Sequence, residues 1–194
     1  MPSPLAPQPA ETPATPIIVH SHLRWDFVWQ RPQQLLSRLS QRSPVLFVEE
    51  QVYLDDIASP RLDVSLPLPR VHRALPVLPA TLRGNYDASI ATIRDLVRKQ
   101  IAADGPIGGL FDRPIQWFYT PMPAPAMIGA FDERGVVYDC MDELSKFRFA
   151  PAELVDRERY LMSEADVVFT GGYRLWQSKS RLHRNAHFFG CGVD

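Results

Sequence analysis

Short apolar runs recur along this chain at intervals that leave room for a helix between one and the next, and that alternation restricts the fold more than any other feature. Ile17-Ile18-Val19-His20, Val45-Leu46-Phe47-Val48, Ile115-Gln116-Trp117-Phe118-Tyr119, Val136-Val137-Tyr138 and Asp166-Val167-Val168-Phe169 have the length and β-branched or aromatic content of strands buried on both faces. Between them, residues 31–39 place Leu35, Leu36 and Leu39 on one helical side and offer Pro32 to the first turn, where its missing N–H costs nothing. Residues 87–103 repeat Ile90, Ile93, Leu96, Val97 and Ile101 at helical spacing and end at Asp104-Gly105-Pro106. A short helix is expected over 123–128, a longer one over 151–162, a basic one after Gly172, and a last strand at Phe188-Phe189. The expected fold is α/β: a Rossmann-like parallel sheet with helices on both faces. Residues 62–66 and 70–75, interrupted by Pro67, Pro69, Pro76 and Pro79, read as an edge hairpin or an excursion over the sheet.

A chain of 194 residues with 45% hydrophobic content is the size of one domain with a substantial core. Six prolines in residues 1–16, with neither a basic region nor an apolar centre, read as a disordered Pro-rich tail and exclude an ordinary signal peptide. The folded domain is expected over 17–185, with 186–194 as the start of a connector. The net charge of -1 gives no reason to expect a nucleic-acid partner. Cys140 and Cys191 form neither a disulfide framework nor a zinc motif, so a cytoplasmic setting is expected. No apolar run approaches the roughly 20 residues of a membrane span, so membrane contact would be peripheral.

In parallel sheets of this kind ligands lie beyond the carboxyl ends of the strands, which directs attention to residues 20–31, 49–50, 120–123, 139–146 and 170–174. Asp139, Asp142 and Glu143 follow a strand directly; they could orient a sugar hydroxyl or assist proton transfer, or else cap the next turn and meet solvent. The segment His22-Leu23-Arg24-Trp25-Asp26-Phe27-Val28-Trp29-Gln30-Arg31 is rich in aromatic and cationic groups. Its indoles suit stacking on sugars and Arg24 and Arg31 suit phosphate, whereas the packing alternative has Phe27 and Trp29 plugging the sheet and the arginines facing solvent. Thr120 ends a strand in the same region. Gly171 and Gly172 either present backbone N–H groups to an anion or form a tight turn capped by Thr170. Neither GxGxxG nor GxxxxGK[ST] occurs, which removes the main support for dinucleotide-dependent and P-loop enzymes. The pairs His20/His22 and His183/His187 lack a third ligand at suitable spacing, so no metal site is expected. Lys179, Arg181 and Arg184 read as a solvated face that could touch anionic lipid.

Three segments together carry a resemblance: Trp29-Gln30-Arg31-Pro32-Gln33-Gln34-Leu35; Val136 through Glu143; and Ala165-Asp166-Val167-Val168-Phe169-Thr170 with terminal Gly192-Val193-Asp194. In their order they resemble the N-terminal half of GT-B glycosyltransferases, of the family-four type, over about Ile17 to Asp194. The resemblance implies a single half-domain that binds the acceptor, facing a C-terminal domain that binds a nucleotide-sugar donor across a cleft. It also implies that Asn185, Gly192, Val193 and Asp194 begin the connector and that the donor half lies after Asp194. Ser21-His22-Leu23-Arg24-Trp25 stands where family members carry a Gly-Gly pair, with Arg24 or Arg31 as substitute phosphate contacts. Met141-Asp142 stands where they carry His-Asp, so only Asp142 carries over.

The function expected from this is the acceptor-binding half of an enzyme of cell-surface polysaccharide or glycolipid synthesis. It would bind no cofactor alone, take a sugar or lipid-linked sugar acceptor, and require its donor half in cis or in trans. Asp139 and Asp142 would be catalytic, and His22, Arg24, Trp25, Trp29, Arg31, Thr120, Glu143, Gly171 and Gly172 would bind substrate. The alternative is a freestanding flavodoxin-like regulatory module in which Asp139 and Asp142 form an acidic pocket for a cation or a phosphoryl group.

Overall fold

Strand pairing orders the alternation into one sheet. The computed structural model describes residues 14–190, so most of the expected Pro-rich tail and the Cys191 to Asp194 part of the expected connector lie outside the described residues. In chain order the strands are β1 (Ile17–His20), β2 (Val45–Val48), β3 (Val52–Leu54), β4 (Arg61–Leu68), β5 (Val71–Pro79), β6 (Ile115–Phe118), β7 (Gly135–Cys140), β8 (Val167–Thr170) and β9 (Ala186–Phe188). The helices are α1 (Arg31–Leu39), α2 (Tyr86–Ile101), α3 (Ala124–Met127), α4 (Leu154–Glu164) and α5 (Tyr173–Lys179). The sheet runs β3-β5-β2-β1-β6-β7-β8-β9, with β4 added to β5 as its one antiparallel neighbour. Residues 186–188, expected to open the connector, are the strand that pairs in parallel with β8.

The two faces are covered unequally. Ile18, Leu46, Val48, Phe118, Val136, Tyr138 and Val168 point to one face, where α2, α3, α4 and α5 bring Ile93, Met127, Leu161 and Leu175 against them. Ile17, Val19, Val45, Phe47, Trp117 and Tyr119 point to the other, which receives Leu36 of α1 and Trp25 of the loop before it. Among the described residues α1 is the only helix on that second face. The chain explains this: β1 to β2 steps toward one edge of the sheet, whereas every later crossover steps toward the other, and right-handed crossovers in opposite directions land on opposite faces.

The proline-interrupted region is a β4–β5 hairpin, with Arg61 facing Val77 and Asp63 facing Leu75. Its register shifts between Ser65 and Leu68, on either side of Pro67, as expected where a residue without N–H cannot join the ladder. β2 and β3 both lean on the other edge of β5, with Val48 opposite Ala74 and Val52 opposite Val77. Residues 49–51 therefore hold one residue more than the two they span on β5, a bulge in an otherwise continuous ladder.

Candidate functional site

The sheet changes direction between β1 and β6, and the crevice of a doubly wound sheet opens at that point. A cavity of about 50 Å³ sits there, lined by His20, Ser21, Glu49, Tyr86, Thr120 and Met127 among others, with His22 at its side. The β1 and β2 ends supply one wall and α2 and α3 the opposite one.

Glu49, in the bulge, organises the first wall. Its carboxylate is fully buried, accepts the Trp25 backbone N–H at 2.7 Å, and pairs with Arg73 Nε at 2.9 Å and Arg24 at 3.2 Å. Arg73 reaches on to Asp26 at 2.7 Å, so four charged side chains tie the β1–α1 loop to β2 and β5. Gln33, the third residue of α1, is buried beneath the same loop; its Nε2 donates to the carbonyls of Arg24 and Trp25 at 3.1 and 3.2 Å and its Oε1 accepts the Gln30 N–H at 3.1 Å. These contacts explain the aromatic loop. Trp25 is buried edge-on to Phe47, with ring centroids 5.2 Å apart, whereas Phe27 and Trp29 are at least half exposed. Trp25, not Phe27 or Trp29, is the plug.

The two arginines expected to meet phosphate are already paired. Arg24 donates to Glu49 and to the Glu50 carbonyl. Arg31 holds both oxygens of Asp139 from Nε, at 2.9 and 3.0 Å, and also donates to the Phe189 carbonyl, with its guanidinium 5.1 Å from the Phe189 ring centre. Asp139 is wholly buried and engaged, so it cannot face an acceptor directly. Burial pushes its carboxyl up; Arg31 opposes that most strongly, with Tyr119 and Trp117 assisting.

His22 and Asp142 are brought near each other. Burial lowers the His22 pKa, while the Asp142 carboxylate and the Tyr119 carbonyl pull the other way. His22 Nδ1 is buried without a hydrogen-bond partner among the described residues, and Asp142 is exposed. Glu143 points elsewhere, to Lys179 Nζ at 3.0 Å; Lys179 also binds Glu158 at 2.8 Å, and Glu158 accepts the Tyr138 hydroxyl at 2.7 Å. Lys179 is therefore interior and drops out of the expected basic face, leaving Arg181 and Arg184 exposed. Gly171 spends its N–H on the Cys140 carbonyl at 3.0 Å, continuing the β7–β8 pairing. Gly172 has φ near -131°, and an added Cβ there would meet only Leu175 at 3.8 Å, so the backbone does not require a glycine at this position. The acidic pocket of the regulatory alternative does not form either: Asp139 is closed off by Arg31 while Asp142 is exposed, and among the described residues no three His, Cys, Asp or Glu side chains could share a metal.

Sequence reasoning marked Glu49 and His20 only as members of strand-end segments, with His20 otherwise considered as a metal ligand, and gave no site role to Gln33, Arg73 or Gln116. Gln116 is buried mid-strand in β6; its Nε2 donates to the Met127 carbonyl at 2.7 Å and its Oε1 meets His20 Nε2 at 2.8 Å. A glutamine inside an otherwise apolar strand was the available signal, since a buried amide must find partners.

No protein-family model matches the chain, and no curated protein matches its sequence. Solved structures do match. An E. coli structure of trehalose-6-phosphate bound with UDP-2-fluoro glucose aligns with 93% of this chain and 49% of its own, with a TM-score of 0.60 and 11% identity. The fold is that of one GT-B half-domain. The UDP-forming α,α-trehalose-phosphate synthase of Burkholderia vietnamiensis aligns over 93% of this chain and 48% of its own, with a TM-score of 0.55 and 11% identity. That of Burkholderia xenovorans in complex with glucose-6-phosphate aligns over 86% and 43%, with a TM-score of 0.51 and 11% identity. The chain thus spans about half the length of the structures it matches. At this identity the half-domain architecture is the content of the match.

Proposed function

We propose that this chain is the acceptor-binding half of a glycosyltransferase that moves a sugar from a nucleotide-sugar donor, with a second half, in cis or in trans, holding that donor. The observation that carries the reading is the cavity at the β1/β6 reversal, in a chain that matches about half of several sugar-phosphate-forming transferases along nearly all its length. The acceptor enters between the β1–α1 loop and residues 120–123. His22 lines the cavity and feels the charge of the exposed Asp142 carboxylate, and in this reading Asp142 takes up the acceptor proton. Arg31 and Asp139 position α1 and the end of β9 without touching substrate. The reading extends to a sugar or lipid-linked sugar acceptor of a cell-surface polysaccharide or glycolipid, handled by a cytoplasmic enzyme at the inner face of the membrane. The free, buried thiol of Cys140 suits a reducing compartment. Among the described residues no helix is long and apolar enough to cross a membrane.

The test is sugar transfer from UDP-glucose and related donors to glucose 6-phosphate and to neutral sugars. The 194-residue chain alone is expected to bind an acceptor without turning over and to gain turnover when joined by a donor half. Efficient turnover by the chain alone overturns the half-enzyme reading, and failure to bind any sugar overturns the acceptor assignment.

A further inference from the structure

The hydrogen bonds around His20 settle which of its ring nitrogens carries the proton. The Gln116 amide N–H donates to the Met127 carbonyl at 2.7 Å, which leaves Gln116 Oε1, an acceptor only, facing His20 Nε2 at 2.8 Å. Nε2 must therefore be the donor, and Nδ1 carries a lone pair that no group among the described residues uses. The ring cannot turn away, because it is 2% exposed and stacked on Phe118 at 4.5 Å between centroids. Burial holds the imidazole neutral, with its pKa lowered to about 4. His20 lines the cavity beside Ser21 and Thr120, whose hydroxyl oxygens accept the backbone N–H groups of Leu23 and Met122 and keep their own O–H to donate.

The charges around this cavity discriminate between ligands. Neither lysine nor arginine lines it, whereas Glu49 and Glu50 do, and the nearby Arg24 and Arg73 are spent on Glu49. A phosphate entering here would meet carboxylates with no unengaged cation to offset them. A neutral hydroxyl would instead find an acceptor nitrogen and two hydroxyls. A volume of about 50 Å³ takes a hydroxyl or hydroxymethyl arm while a sugar ring rests at the mouth.

We propose that His20 Nδ1 accepts a hydrogen bond from a hydroxyl of a neutral sugar whose arm enters this cavity, so that His20 selects hydroxyl over phosphate at that position. This rests on the acceptor-binding reading above and adds the residue and the chemistry of the group it recognises.

Nitrogen-15 NMR of the histidine rings in the whole chain tests it, with a panel of methyl glycosides as probes and tryptophan fluorescence as an independent measure of binding. The expected result is an unprotonated Nδ1 and protonated Nε2 in His20, and an Nδ1 shift on adding at least one glycoside. His20→Gln, which keeps an amide donor near the Nε2 position and removes the Nδ1 acceptor, is expected to weaken that glycoside by at least about fivefold. His20 protonated on Nδ1, or a glycoside that binds by fluorescence without moving the Nδ1 signal, overturns the proposal and leaves the acceptor-binding reading standing. A panel in which no sugar binds overturns both.

Discussion

Arg31 and Asp139 are 108 residues apart in sequence, yet the guanidinium Nε lies within 3.0 Å of both carboxylate oxygens, with the arginine side chain 8% exposed and the aspartate fully buried. One comes from the first turn of α1 and the other from β7, so the pair fastens the only helix that the described residues place on this face of the sheet to a strand two positions away from β1. Removing either partner strands the other charge in the interior. Arg31→Ala and Asp139→Ala are each expected to cost about 3–5 kcal/mol in urea denaturation. Replacing both with apolar residues, as in Arg31→Met with Asp139→Leu, should cost clearly less than the two single changes combined. Additive losses would show that the pair contributes no mutual attraction.

Glu49 concentrates its contacts differently. Its two arginine partners keep side-chain exposures of 36% and 25%, so solvent screens part of the attraction. Glu49→Gln is expected to destabilise by about 2–3 kcal/mol, below the cost of a fully interior pair. Because the Trp25 N–H also depends on Glu49, the variant should redshift tryptophan emission as that indole loosens. An unchanged spectrum would place the anchoring of the loop elsewhere.

His20 has a sign that can be checked against pH. Its folded pKa, about 4, lies below the ordinary value of 6.5, so between those values the unfolded chain binds more protons. The neutral, buried ring contributes stability in full above pH 6.5, and that stability drains away as pH falls toward 4, amounting to about 3 kcal/mol. Denaturation at pH 7 and pH 4.5 should show a steeper loss for the native chain than for His20→Gln. Equal losses would mean that His20 titrates normally.

Two glycines should respond in opposite ways. Gly172→Ala is expected to alter stability by less than about 1 kcal/mol, because its φ is ordinary and the new methyl meets only Leu175. Gly105→Ala should destabilise by more than that, since a methyl there would run into the Lys99 and Gln100 carbonyls at the end of α2. Thermal melting of both variants decides; a large loss at Gly172 would reinstate a special turn before α5.

The strands that were legible in the sequence are those whose apolar runs stand alone: β1, β2, β6, the Val136 to Tyr138 stretch of β7, and β8 within one residue. α1 was legible to the residue because Pro32 marks its start and Leu35, Leu36 and Leu39 its face. β3 was not, since three residues followed by Asp55 and Asp56 carry no pattern of their own and are held only by β5. The β4–β5 hairpin was blurred by prolines that lie within its strands at an irregular register. The site was less legible than the fold, because its residues act through partners far away in the chain. Arg24 and Arg31 have the local sequence of phosphate ligands, whereas Glu49 and Asp139, distant in the chain, occupy them. Glu49 drew notice only as part of a strand end, and nothing local to Arg73 or Gln33 announces that they hold the β1–α1 loop.

The bulge at residues 49–51 is clamped at both ends, by Val48 on Ala74 and by Val52 on Val77. It therefore works as a gauge of length. One residue more or fewer would slide β3 along β5 and turn its side chains over, or would draw the Glu49 carboxylate away from the Trp25 N–H. Relatives of this protein should accordingly keep the number of residues in this segment, and an indel there would mark a lineage that has rebuilt or abandoned this wall of the crevice.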